Sequence, residues 1–91
     1  MMTGLIFMHL CDDWSLGYDA QQWIVYRAHF KGDTARYLPV SFICSTKSVL
    51  RRVMREKGLT PTPEAQAALN DLPESFRDFI ASWDGQERRA A

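Results

Sequence analysis

The sequence has no net charge and no long apolar run. Its 11 Lys and Arg residues balance 11 Asp and Glu residues, so the overall positive charge typical of a dedicated nucleic-acid-binding protein is missing. No apolar stretch approaches the roughly 18 residues that a membrane-spanning helix needs. The opening MMTGLIFMHLCDD lacks both a basic leader and a small-residue cleavage site. We therefore expect a cytoplasmic protein that does not enter a membrane.

Metal ligands, nucleophiles and phosphate-binding loops are also scarce. The two His and two Cys residues never occur in the paired short spacing of structural zinc sites, and no glycine belongs to a phosphate-binding loop. Adjacent Asp12 and Asp13 would point to opposite faces of a strand, so they could not share a metal or a proton. We therefore predict a protein with no metal, no cofactor and no catalytic site.

The two cysteines are too few for the disulfide framework of a small secreted protein, which usually needs four or more. We interpret Cys11 and Cys44 as reduced, buried thiols that act as small hydrophobic residues. A bridge between them would require that their two strands be neighbours.

The chain contains enough apolar sequence to form a core. With 46% hydrophobic and 24% charged residues among 91, it has the composition of an ordinary soluble globular protein. A chain of this length forms one domain, near the size at which a single core gives only modest stability. We predict one domain over residues 1–85 and a flexible tail over residues 86–91.

Two alternating segments predict a β-hairpin. Residues 23–30 are rich in β-branched and aromatic residues that alternate between two faces, and residues 36–44 alternate in the same way. The intervening Lys-Gly-Asp-Thr has the composition of a reverse turn. The apolar run over residues 5–10 predicts a further strand, while residues 14–18 form either a brief strand or an ordered loop. The sheet should therefore have two or three antiparallel strands.

The register of this hairpin follows from keeping both apolar sets on one side of the sheet. A slip by one residue would turn every apolar side chain to the other face. Pro39 cannot donate a hydrogen bond, so its strand should lie at a sheet edge or next to a bulge. The apolar face of the second strand would be Leu38, Val40, Phe42 and Cys44. The expected pairs are Ile24 with Phe42, Tyr26 with Val40 and Ala28 with Leu38.

Three helical segments follow the hairpin. Ser45 or Thr46 can cap a helix over residues 46–57, and a Thr-Pro pair can open a second helix over residues 63–71. The strongest amphipathic pattern of the chain extends over residues 73–83. We therefore predict an α+β fold, in which a small antiparallel sheet packs against one helix and a C-terminal helical hairpin.

The zero net charge conceals an uneven distribution along the chain. Residues 1–26 carry three acids and no base, residues 27–59 carry eight bases and two acids, and residues 60–91 carry six acids and three bases. The three segments therefore carry charges of −3, +6 and −3. Most of the central positive charge lies in the helix predicted over residues 46–57.

We define the basic face of that helix as Lys47, Arg51, Arg52 and Arg55. Lys47, Arg51 and Arg55 recur at four-residue intervals and so line one ridge, which Arg52 flanks. The apolar residues of the same helix should face the sheet. We therefore predict a small non-catalytic interaction protein that binds a macromolecular partner, preferably a protein, through the basic face.

Two alternatives to this interpretation concern the same charges. Glu74 and Asp78 on the last helix could neutralise the basic face within the molecule. Alternatively, the partner could be a nucleic acid, if Trp23, His29 and Tyr37 supply stacking surfaces next to the helix.

Self-association is a separate expectation. An exposed edge strand offers unpaired backbone groups to a second copy of the chain. The last helix offers Phe76, Phe79 and Trp83 as an apolar contact surface. Either feature would permit a homodimer.

Residues 19–55 combine a D-A-Q-Q-W-I-V start, a turn, a Y-L-P-V-S-F strand and an S-T-K-S-V-L-R-R-V helix. In pattern and size this stretch resembles small accessory proteins encoded by phages and prophages, which often pair a β-hairpin with one helix. The resemblance includes no catalytic motif. It implies a cytoplasmic accessory protein that binds a host or viral component, anti-defence inhibitors being one such class.

Overall fold

The structure, a computed structural model, describes residues 5–82 and has an α+β fold. Each strand of its sheet pairs antiparallel with the next, in the order β1-β2-β3-β4. The sheet is larger than the predicted two or three strands, because residues 14–18 form a full strand between its neighbours. The elements are β1 (Leu5–Cys11), β2 (Trp14–Tyr18), β3 (Trp23–Lys31), β4 (Thr34–Ile43), α1 (Lys47–Glu56), α2 (Pro63–Asp71) and α3 (residues 76–82).

The first two helices agree with the sequence patterns, whereas α3 begins three residues later than predicted. The backbone before it pairs with the chain after β4: Thr46 and Ser75 form a bridge, and the Phe76 N–H donates to Ser45 O at 3.0 Å. Ser75 Oγ then accepts the Asp78 N–H at 3.1 Å, as an N-cap does. The predicted helix end at residue 83, the domain boundary at 85 and the tail over 86–91 lie outside the described residues.

A tight turn joins β3 to β4. Of its two central residues, only Gly32 has a positive φ, at +61°. This is the arrangement of a type II′ turn, whose twist matches that of the flanking strands. The Lys31–Thr34 pair closes the hairpin next to the turn.

The predicted register is correct at one end of the hairpin and wrong at the other. Ile24 pairs with Phe42 as expected, but Tyr26 pairs with Pro39 and Ala28 with Tyr37. A bulge after Val25 leaves Val40 as an extra residue on β4, which shifts every later pair by one. The prediction that Pro39 lies at an edge or next to a bulge is confirmed on both counts.

The hydrophobic core lies between one face of the sheet and the three helices. The Trp23 ring meets the Phe76 ring edge-on, with 5.3 Å between their centroids, and packs against Phe79. The core side chains include Leu10, Leu16, Trp23, Val25 and Ile43 from the sheet and Leu50, Met54, Leu69, Phe76 and Phe79 from the helices.

The predicted apolar face of β4 is wrong, since Leu38, Val40, Phe42 and Cys44 are all exposed. Ile43 is the one buried side chain of β4. Ile43 pairs with Trp23 and so faces the helices, whereas Phe42 pairs with Ile24 on the opposite face of the sheet. Farther along the hairpin, the part of the sheet that the structure describes has two strands, because β2 pairs with β3 no farther than Arg27.

The two cysteines do not pair. Cys11 is buried on β1 and Cys44 is exposed just after β4, at the other edge of the sheet. Both thiols are free, and the prediction of burial is wrong for Cys44. Within residues 5–82, no helix has the length and apolar character to cross a membrane.

Candidate interaction surface

The basic face is held in place by contacts between the first turn of α1 and the segment before α3. Thr46 Oγ1 accepts the Val49 N–H at 3.3 Å, and the Lys47 N–H donates to Glu74 O at 2.6 Å. The Glu74 carboxylate accepts the Ser48 N–H at 3.2 Å and the Ser48 hydroxyl at 2.7 Å. These N–H groups have no partner within a helix, so the contacts fix the orientation of α1.

The Glu74 carboxylate acts as a cap and forms no ion pair with the residues that the structure describes. The hydrogen bonds from the Ser48 side chain and backbone lower the pKa of Glu74, to which the charges of Lys47 and Arg51 add a smaller effect. Within residues 5–82 there is one ion pair, between Arg27 and Asp13 at 3.4 Å. Neither Glu74 nor Asp78 therefore forms an ion pair with the basic face. The basic face is therefore not neutralised by direct contact with these two acids.

Lys47 points toward the end of α2. Its Nζ donates to Leu72 O at 2.8 Å and to Asn70 O at 3.2 Å. The last carbonyl groups of a helix lack intrahelical partners and carry a partial negative charge, which favours a cation there. Lys47 is half-buried as a result, and its ammonium group serves the contact between the two helices.

Arg51 is also held against α2, but by neutral groups. Its Nη1 donates to Gln66 Oε1 at 3.0 Å, and its Nη2 donates to Asn70 Oδ1. Gln66 and Asn70 are four residues apart on one side of α2, so they meet the two ends of the guanidinium fork. The amides orient this guanidinium group without compensating its charge.

The side chains of Arg52 and Arg55 are exposed and make no hydrogen bond or ion pair with any residue in the described range 5–82. Arg55 and Arg51 lie at one open groove with a volume of about 250 Å³. The groove also contains Gln66, and its apolar side is formed by Met54, Leu59 and Pro61. The structure thus brings Arg51 and Arg55 together and leaves Arg52 on the adjoining surface.

The aromatic side chains that the nucleic-acid alternative would use for stacking do not lie together. Trp23 is fully buried in the core, so it cannot supply one of the stacking surfaces that the nucleic-acid alternative requires. His29 and Tyr37 are exposed on the hairpin. Tyr37 pairs with Ala28, on the sheet face that points away from the helices, because side chains alternate along the strand from the core residue Val25.

The two histidines of the sequence lie in separate places. His9 donates from Nε2 to Asp12 O at 2.8 Å in a local turn, while His29 is exposed on the hairpin. Within residues 5–82, no three side chains of His, Cys, Asp or Glu converge on one point.

Sequence reasoning missed Gln66 and Asn70 as supports of the basic face. The available signal was their four-residue spacing, which matches the spacing of Lys47 and Arg51. That match has meaning only once α1 and α2 are known to be adjacent, since Gln and Asn on a helix surface are otherwise ordinary solvent-exposed residues.

The comparisons with known proteins give no relative for this chain. No protein-family model matches the sequence, and neither a curated protein nor a solved structure matches the chain.

Proposed function

We propose that this protein is a small non-catalytic interaction protein that binds an acidic surface of another protein through Arg51, Arg52 and Arg55 of the basic face. The observation that carries the proposal is that these three guanidinium groups have no carboxylate partner within residues 5–82. Three uncompensated cations on a single helix produce a local positive potential despite zero net charge.

The groove supports a protein partner over a nucleic acid. Arg51 is oriented in advance by two amides, so a carboxylate can bind it with little further ordering of the side chain. The apolar side of the groove, with Met54 and Leu59, suits a hydrophobic residue next to that carboxylate. A phosphate backbone would use the charges but not the apolar side.

Lys47 has a different role in this proposal. Its ammonium group is bound to the end of α2, so it supports the helix pair that positions the guanidinium groups. We also propose, in line with the resemblance over residues 19–55, that the partner is a host or viral component met by a mobile-element accessory or anti-defence protein.

The test is a double charge reversal, Arg52→Glu with Arg55→Glu. The probe is a fluorescein-labelled peptide of Glu and Leu residues, with binding measured by fluorescence anisotropy at low salt. We expect the double variant to bind at least about tenfold more weakly. Its melting temperature should barely change, because both side chains are exposed and unpaired within residues 5–82.

The matched control is Lys31→Glu with Arg77→Glu, which changes the net charge equally at exposed positions away from the groove. This control should bind the peptide like the unmodified protein. Equal losses in both variants would indicate only a general charge effect, and full binding by the Arg52/Arg55 variant would contradict the proposal. If the protein binds labelled oligonucleotides with an affinity that falls steeply with salt, and does not bind the peptide, the partner would be a nucleic acid instead.

A further inference from the structure

A second surface, separate from the basic face, lies along the outer edge of β4. Within residues 5–82 no strand pairs with this edge. The opposite edge of the sheet, β1, is partly covered, because the Thr62 N–H donates to Leu10 O at 2.9 Å. Large apolar side chains are exposed along the hairpin, with exposed fractions of 68% for Phe30, 48% for Tyr37 and 56% for Phe42.

The direction of the free backbone groups on β4 follows from one hydrogen bond. The Ala28 N–H donates to Asp13 O at 2.7 Å and therefore points away from β4. In an antiparallel pair, opposed residues either exchange both hydrogen bonds or point both sets of groups outward. Because Ala28 pairs with Tyr37, the N–H and C=O of Tyr37 point away from β3, toward the free edge of the sheet. The N–H and C=O of Ala35 and the C=O of Pro39 point in the same direction.

We propose that this edge pairs with the same edge of a second copy of the chain, forming an antiparallel homodimer with Tyr37 on the two-fold axis. Pairing about Tyr37 sets Ala35 opposite Pro39 of the second copy. Each outward N–H of Ala35 and Tyr37 then has a carbonyl acceptor. Pro39 has no N–H to donate, but the competing register about Arg36 forms no more backbone hydrogen bonds than this one. The bulge at Val40 limits the pairing to this short stretch.

Charge selects this register over its nearest competitor. Moving the axis to Arg36 would give as many backbone hydrogen bonds but would place Arg36 directly opposite itself, which is unfavourable. With Tyr37 on the axis, Arg36 lies opposite Leu38 of the second copy. Leu38 is 41% exposed and can pack on the aliphatic part of the arginine side chain. Arg36 is the only charged residue between Thr34 and Ile43, so no other like-charge contact arises along the strand.

The area available sets the expected strength. At about 200 Å² for a fully exposed ring, Phe30, Tyr37 and Phe42 together expose about 350 Å² of aromatic surface. Standard stable interfaces bury about 800 Å² per partner. The dimer should therefore be weak and concentration-dependent, with a dissociation constant on the order of micromolar or above.

Disulfide trapping tests the register directly. Cys44 is exposed, so every variant also carries Cys44→Ser. In the Tyr37→Cys variant, the α-carbons of the two introduced cysteines would lie about 5.5 Å apart on the two-fold axis. This distance is within the range that a disulfide spans. Thr34→Cys is the control on the same strand, because its two copies would lie about 20 Å apart. Mild oxidation should cross-link Tyr37→Cys into dimers and leave Thr34→Cys monomeric.

Light scattering across a wide range of concentration provides the second measurement. The unmodified protein should approach the mass of a dimer as its concentration rises. Tyr37→Glu, which sets two carboxylates against each other, should weaken dimerisation by about tenfold or more, and Thr34→Glu should not. The proposal is overturned if the unmodified protein remains a monomer throughout, or if both cysteine variants cross-link equally. Neither result depends on peptide binding by the basic face, so the two proposals can fail separately.

Discussion

Lys47 Nζ donates a 2.8 Å hydrogen bond to Leu72 O, so the first residue of α1 caps the C-terminal end of α2. A second contact runs in the reverse direction along the chain, because Glu74, two residues after Leu72, caps the first turn of α1. The two helices therefore stabilise each other's ends. This arrangement explains why a lysine and a glutamate close together in space each bind backbone and hydroxyl groups and form no ion pair with each other.

Replacing Lys47 by Met should destabilise the protein by about 1 kcal/mol. The apolar stem is kept, while two carbonyl groups at the end of α2 lose a charged donor. Urea unfolding followed by circular dichroism gives the free energy of unfolding. Lys57→Met is the matched control, because Lys57 is exposed and caps only its own helix. An unchanged midpoint for Lys47→Met would show that the contact contributes nothing to stability.

The helices α1 and α2 could each be predicted from the sequence, but their packing against each other and its consequence for the basic face could not. Thr46 and Thr62 each cap a helix as their residue types suggest, and the Thr-Pro pair opens α2 at the predicted residue. Four-residue spacing correctly grouped Lys47, Arg51 and Arg55 on one ridge. Which members of that ridge bind α2 depends on the angle and depth at which the helices pack, and no local pattern encodes that geometry.

The stability of the protein should depend on pH through Glu74. Because Ser48 lowers the pKa of Glu74 in the folded state, this carboxylate stabilises the fold above its unfolded pKa. That contribution is lost as the pH falls through the folded value. Between about pH 5 and pH 3, the melting temperature of the unmodified protein should therefore fall more steeply than that of Glu74→Gln.

Glu56→Gln is the control for this measurement, since Glu56 is an exposed carboxylate in the last turn of α1 with no hydrogen bond to the described residues. Glu56→Gln should leave unchanged the steepness with which the melting temperature falls over this pH range. If Glu74→Gln and the unmodified protein lose stability in parallel over this pH range, the hydrogen bonds from Ser48 do not stabilise the charged carboxylate.

The hairpin illustrates where strand prediction fails for a physical reason. Alternation located both strands, and Ile24 opposite Phe42 is the pair expected from it. The bulge at Val40 could not be located, because an extra residue changes neither the composition nor the alternation of the strand that carries it. Burial of β4 was overestimated because alternation identifies two faces but does not reveal that helices cover only one of them. Phe42 is consequently exposed and Ile43 buried.

Gly17 and Gly32 should respond differently to substitution, because they are required for different reasons. A Cβ added at Gly17 would lie 2.6 Å from Leu5 O and 2.7 Å from Tyr26 Cε2, whereas a Cβ at Gly32 would meet nothing within 4 Å. Gly32 instead has a φ of +61°, which costs an L-residue about 1–2 kcal/mol. Gly17→Ala forces a backbone oxygen to move, so its cost should be about 1–3 kcal/mol.

The size of the substituent separates the two mechanisms. At Gly32, Asn should be tolerated better than Ala, because Asn adopts positive φ more readily. At Gly17, Asn should be worse than Ala, because it adds atoms where even one carbon is too many. The free energies of unfolding of the four single variants, measured in urea, give the comparison. The same rank of Ala and Asn at both positions would contradict the distinction between a close approach at Gly17 and a backbone requirement at Gly32.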